Sequence, residues 1–198
     1  DARPLRWLPV RLDTPNGDHT MLARILTYGT IAGLGVGIPL SAIALLWKDQ
    51  PPAWGMAVGY TLMLVALTAV FAGVKKHRDE ALGGVIRFWP AFGIGLAIST
   101  VAALFYVLAW EVTLAMTGAD FIGAYTAQQI GARRAAGASA AELARFAAEM
   151  RIMAQRYADP LYRLPLTFTE IMPVGLLVSL VSAALLRNPR LLPARISV

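Results

Sequence analysis

Glu170 is a carboxylate in a place where water is not expected. It lies in an apolar stretch running from Arg163 to Arg187, three residues ahead of Pro173. An ionised acid in hydrocarbon costs on the order of 2.5–3.5 kcal/mol at the centre of a membrane span, and less nearer its edge. Glu170 is therefore expected to be neutral or paired inward. Tyr106 and Glu111, at the end of the preceding apolar stretch, are the expected partners, and Arg163 can reach back along the same helix face. Two roles fit: a proton, cation or ligand site, or a structural hydrogen bond that fixes one span against another. Pro173 withholds the N–H that would bond the carbonyl of Thr169, and Pro39 does the same to Gly35. Both positions are expected to break or kink their helices.

A second group of chemistry-bearing residues is cationic. Lys75, Lys76, Arg78 and Arg87, with His77 among them, could hold anionic lipid headgroups at around 1 kcal/mol each near a membrane surface. Retention of positive charge on one side of a bilayer explains the same residues.

The missing residue types narrow the field further. The chain has no cysteine, and its two histidines, His19 and His77, fall outside the apolar stretches. Thiolate sites, disulfides and axial histidines inside a membrane are excluded, so no cofactor and no metal is expected. The glycines from Gly29 to Gly37 lie inside an apolar stretch, not between a strand and a helix, so they do not form a phosphate loop. Neither a nucleophile elbow nor a paired-carboxylate spacing is present, and the expectation is a protein that is not an enzyme.

The elements that must position these residues follow from hydropathy. Of the 198 residues, 57% are hydrophobic and 15% charged, against about 45–50% and about 25% in soluble domains. The excess is gathered in four blocks, at about residues 25–47, 53–74, 88–110 and 164–186. Each is long enough to cross a hydrocarbon core of about 30 Å as a helix, and backbone pairing in lipid makes the helix obligatory. The predicted fold is all-α: a four-transmembrane-helix bundle forming a 25–188 membrane domain, with a Pro-rich leader at 1–24 and a tail at 189–198. The first block follows some 24 polar residues and is too long for a signal-peptide core of about 7–15 residues, so it is expected to stay as an anchor. A chain starting at Asp1 is expected to lack residues upstream.

A net charge of +6 could suggest nucleic acid, but its distribution favours a membrane. Of 18 Lys and Arg, 11 lie in the leader, the loop after the second block or the tail. This pattern predicts both termini in the cytoplasm and no nucleic-acid partner. The six arginines between residues 112 and 163 run against it.

Residues 119–158 are too polar to span and are expected to form an outer helical hairpin split at Gly137. Asp120 is the expected cap of its first helix, with Phe121, Tyr125, Gln128 and Ala132 as a weak stripe. Ser139 and Glu142 have the spacing of a capping box opening the second helix. There Leu143, Phe146, Met150, Met153 and Tyr157 form an apolar stripe at alternating spacings of three and four. Small residues should set the packing of the spans: Gly29, Gly33, Gly37 and Ser41 on the first, Gly55 and Gly59 on the second, Gly93, Ala97 and Val101 on the third.

Three segments carry a resemblance. Phe168 to Ser179, the loop from Gly73 to Asp79 with Gly83 to Phe88, and Ala136 to Glu142 with Tyr157 to Leu161 resemble a bacterial four-span membrane family known as domain of unknown function 4199. The likeness covers about residues 25–188 and implies the four-span plan and an inner-membrane location, without implying an activity. The leader, with Pro4, Trp7, Pro9 and Pro15, is longer than that resemblance leads one to expect. Two functions are therefore in view. One is a non-catalytic accessory or scaffolding subunit of a larger inner-membrane complex, touching lipids and gripping other membrane-protein chains through residues 1–24 and the hairpin. The other is a small transporter or lipid-handling protein that uses Glu170 in a proline-broken span.

Overall fold

The computed structural model describes residues 16–47, 54–117 and 120–193. The leader as far as Pro15, the outer loop from Lys48 to Ala53 and the last five residues lie outside them, as do the expectations placed there. The described residues form six helices and no strand: α1 (Asn16–Leu46), α2 (Gly55–Ala81), α3 (Phe88–Thr117), α4 (Asp120–Ala135), α5 (Ala140–Tyr157) and α6 (Pro160–Leu186). Four of them, α1, α2, α3 and α6, are long and apolar enough to cross a membrane. They overrun the apolar blocks because hydropathy marks only the part that lipid solvates. Polar ends can continue the helix through pairs four residues apart, as Lys75–Asp79 and Lys76–Glu80 do on α2.

The four long helices form a ring in which α1 packs on α2 and α3, and α6 packs on α2 and α3. Its core holds Val36, Leu67, Val70, Val74, Ile98, Ala102, Ile171 and Leu186. Lipid solvates leucine as well as another helix does, so the seams depend on close approach and hydrogen bonds. The α1–α3 seam is built on the expected ladder. A Cβ on Gly29 would lie 2.5 Å from the Val101 Cβ, one on Gly33 2.5 Å from the Ala102 carbonyl oxygen, and one on Gly37 2.6 Å from the Ala109 Cβ. At its outer end Thr113 donates to Ser41 Oγ at 2.6 Å.

Elsewhere the small residues act differently from expectation. Gly59 meets Leu40 only at an ordinary 3.6 Å, and Gly55 is the first residue of α2, so this pair forms no groove. Gly93 faces open space, because it lies on the outer side of α3. The true α3–α6 seam is reciprocal. Gly95 faces Ser179, Gly175 faces Ser99, and the Ser99 hydroxyl donates to the Gly175 carbonyl at 3.2 Å. Both partners carry a small residue every fourth position, which is what close helix approach requires.

Neither proline breaks its helix: α1 runs through Pro39 and α6 through Pro173. Each ring removes one rung of a ladder held on both sides. Parting the helix would leave further backbone groups unpaired where no water can serve them.

The outer hairpin closes at Gly137, whose φ of +88° is a left-handed conformation that suits glycine. Ser139 and Glu142 make the full capping box of α5. Residues Ala158 and Asp159 alone separate α5 from α6, and Asp159 caps α6 by accepting from the Leu161 N–H at 2.9 Å. The cap of α4 precedes Asp120 and falls outside the described residues. Of the α5 stripe only Met150 is buried, while Met153 is 44% exposed. The guanidinium of Arg133 covers the Phe146 ring at 3.9 Å.

The capping box yields a prediction. Bonds from the Ser139 backbone and hydroxyl hold the Glu142 carboxyl below its ordinary range. Its stabilisation is therefore complete above the unfolded carboxyl value of about 4.3 and is lost as pH falls through the lower folded value. Ser139→Ala should speed amide exchange in the first turn of α5 about five-fold. Acidification of the parent chain should loosen the same turn, and both effects are read by hydrogen exchange.

Candidate functional site

A polar cluster sits at the hairpin end of the bundle, where α3, α5 and α6 meet. α6 contributes Arg163, Thr167 and Glu170, spaced four and three, and α3 contributes Tyr106 and Trp110, spaced four, with Glu111 beside them. Such spacings bring side chains to one helix face. α5 supplies Tyr157 from its last residue.

The cluster has an upper and a lower part. In the upper part the Arg163 guanidinium grips Glu111 with two bonds, Nε to Oε1 at 2.7 Å and Nη2 to Oε2 at 2.6 Å. Its Nη1 donates to the Tyr157 carbonyl at 2.9 Å. The fork therefore joins α3, α5 and α6. Just below, Trp110 Nε1 donates to the Tyr157 hydroxyl at 2.7 Å, with Thr167 also bonded to that hydroxyl. Burial raises the Tyr157 phenol above its ordinary value, so it is neutral near pH 7.

In the lower part the Tyr106 hydroxyl donates to Glu170 Oε2 at 3.2 Å. Tyr106 is only 4% exposed. Glu170 is exposed, as are Leu166, Pro173 and Leu177 on the same face of α6. It stands at the edge between the inward row of Thr167 and Ile171 and the outward row that lipid would meet. Among the described residues no cation pairs with it. Tyr157 also lies within electrostatic reach of Glu170, so two phenols, Tyr106 and Tyr157, stand near this carboxyl.

Of the expected partners, Tyr106 meets Glu170 and Glu111 does not. Glu111 is taken by Arg163, because a two-bond pair of opposite charges is favoured over two carboxyls side by side. Arg163 is thereby drawn upward, away from Glu170, which lies seven residues or about 10 Å further along α6.

The cationic group divides in the same way. Arg78 is fully buried, with Nε on Asp79 at 2.7 Å, Nη1 on the Leu191 carbonyl at 3.0 Å and Nη2 on the Leu192 carbonyl. It holds the tail and presents nothing to lipid headgroups, which corrects the expectation for this residue. Lys75 is drawn to Asp79 and partly buried, so it too is spent inside the fold. Lys76 and Arg87 are exposed, Lys76 in a long pair with Glu80 at 3.9 Å. Nearby, Arg24 bonds Glu80 at 2.9 Å and reaches His77 Nδ1 at 3.4 Å.

Sequence spacing could have found the Arg163–Thr167–Glu170 row and the Ser99–Gly175 seam. Nothing local signals the Arg163–Glu111 fork, whose partners are 52 residues apart. Chemically, the lower part offers a carboxyl with one phenol donor, able to accept a proton, a cation or a further hydrogen bond. Among the described residues no three His, Asp or Glu gather as a metal site.

The family model described as protein of unknown function (DUF4199) matches residues 27–188. No curated protein and no solved structure matches the chain.

Proposed function

The chain belongs to the DUF4199 family, and we propose that it serves as a non-catalytic scaffolding subunit of a larger complex in a bacterial inner membrane, with both termini cytoplasmic. The carrying observation is the exposure of Glu170 on the outward face of a spanning helix, with one hydrogen bond to satisfy it. Facing lipid, that carboxyl is costly. A neighbouring membrane helix offering a donor would cover it. The outer hairpin, with Met153 and Ile152 exposed beyond the bilayer, gives the same neighbour a second hold. The orientation is supported by the cations near the α2–α3 turn.

The test is co-purification in mild detergent, with a photo-crosslinking residue at Leu177, two turns below Glu170 on the same face. A defined polypeptide adduct is expected. It should survive Glu170→Gln, which keeps an acceptor, and fall at least ten-fold in Glu170→Leu. Equal adducts from the leucine variant overturn the reading.

The phenols around Glu170 favour a second reading, a small transporter in which that carboxyl takes up a proton or cation. Here Glu170→Gln, which cannot titrate, abolishes pH-driven flux in proteoliposomes. Thus Glu170→Gln separates the two: binding retained supports the scaffold, flux lost supports the transporter.

A further inference from the structure

At the opposite end of the bundle, an open groove of about 500 Å³ runs between the start of α1, the end of α2 and the start of α3. Met21, Leu82, Ile86 and Ile94 make its walls apolar, while His77 and Arg87 are its two cationic or hydrogen-bonding members. We propose that this groove holds one anionic phospholipid, its acyl chain along the apolar walls and its phosphate on Arg87 and His77.

Three observations carry the assignment. First, the Arg87 guanidinium is exposed and makes no ion pair or hydrogen bond with the described residues, unlike Arg24, Lys75 and Arg78 nearby. A guanidinium left unmatched beside apolar walls suits an oxyanion on an apolar tail. Second, His77 is fixed as a donor. Arg24 can only donate, so His77 accepts through Nδ1, and a neutral ring then carries its proton on Nε2. His77 is 8% exposed, and among the described residues no buried side-chain nitrogen lacks a partner, so this N–H keeps some exposure on a residue that lines the groove. Third, the depth is right. Trp89, two residues from Arg87, is 75% exposed and set edge-on against Phe88 and Phe92, an aromatic placement typical of the headgroup level. Lys76, 48% exposed at this end, adds to the attraction for negative lipid.

Gly93 supplies the decisive variant. It lines the groove, and a Cβ built there meets nothing within 4 Å, so Gly93→Leu puts a side chain into the groove without disturbing a seam. The full chain is placed in nanodiscs containing equal phosphatidylglycerol and phosphatidylcholine, each carrying a spin label on its acyl chain. The motion-restricted fraction of each is then compared. The parent chain should immobilise phosphatidylglycerol in preference. Arg87→Gln should reduce that preference about five-fold, the loss of one basic residue near the surface. Gly93→Leu should abolish the preference for phosphatidylglycerol while helicity is unchanged. Equal restriction of the two lipids by the parent chain overturns the proposal, as does a preference left unchanged by either variant. Restriction of phosphatidylcholine alone assigns the groove to a neutral lipid and overturns it too. The scaffold reading rests on the other end of the bundle and stands or falls separately.

Discussion

A chain carrying Gly33→Val loses the α1–α3 seam. The added Cβ would lie 2.5 Å from the Ala102 carbonyl oxygen and 2.6 Å from the Phe105 Cβ. The first is backbone, which cannot rotate aside, so relief comes only by moving one helix off the other. Overpacking a close-packed interior costs about 1–3 kcal/mol, occasionally more, and a backbone obstacle puts this site at the upper end or beyond. The same displacement lengthens the bond between Thr113 and Ser41, about two turns further along the same seam. Unfolding in detergent should therefore show a loss of about 3 kcal/mol. Gly131→Ala, where an added Cβ meets nothing within 4 Å, is the control and should be neutral or slightly stabilising. If the two variants unfold alike, close approach at Gly33 does not hold the bundle.

Arg78→Met is expected to have the second large effect, and in a different place. Methionine roughly fills the volume but provides no donor. The carbonyls of Leu191 and Leu192 lose their partner, and Asp79 keeps only Lys75. Breaking a buried charged network by removing one member costs about 3–5 kcal/mol, moderated here because Lys75 still balances the acid. The loss is concentrated on the segment after α6. That segment has Leu192 at a φ of +50°, a conformation that leucine adopts only when something holds it. Limited proteolysis should cut after Arg187 or Arg190 at least ten-fold faster in the variant, with the four long helices still protected. Unchanged cleavage would mean that the tail is held by other contacts. Arg78→Lys should rescue little, since one ammonium cannot reach two carbonyls and a carboxylate in the planar pattern of a guanidinium.

The four spans were legible because lipid imposes a demand that composition records directly, some 20 apolar residues with no charge. The Gly29–Gly33–Gly37 ladder was legible for a similar reason: few forces other than close packing favour glycine every fourth residue in hydrocarbon. Its partner was legible only at Val101; Ala102 and Phe105 on the facing helix carry no distinctive mark. The cations near the end of α2 show a different limit. Lys75, Lys76 and Arg78 look equivalent on the chain, yet successive residues turn about 100° around a helix. Arg78 points into the protein, where the tail's carbonyls wait for it, and Lys76 points out. That Arg78 is the one held inside depends on a segment 113 residues away. Glu170 was legible as an anomaly but not in its environment. That a phenol would reach it and Glu111 would not follows from the position of Arg163, which the hairpin sets.

The junction between the hairpin and the membrane domain has a mechanical meaning. α5 passes into α6 through Ala158 and Asp159 alone, and Arg163 ties that corner to Glu111 on α3. Such a joint has little slack. A load applied to the hairpin would therefore reach two spans at once, one through the main chain and the other through a guanidinium.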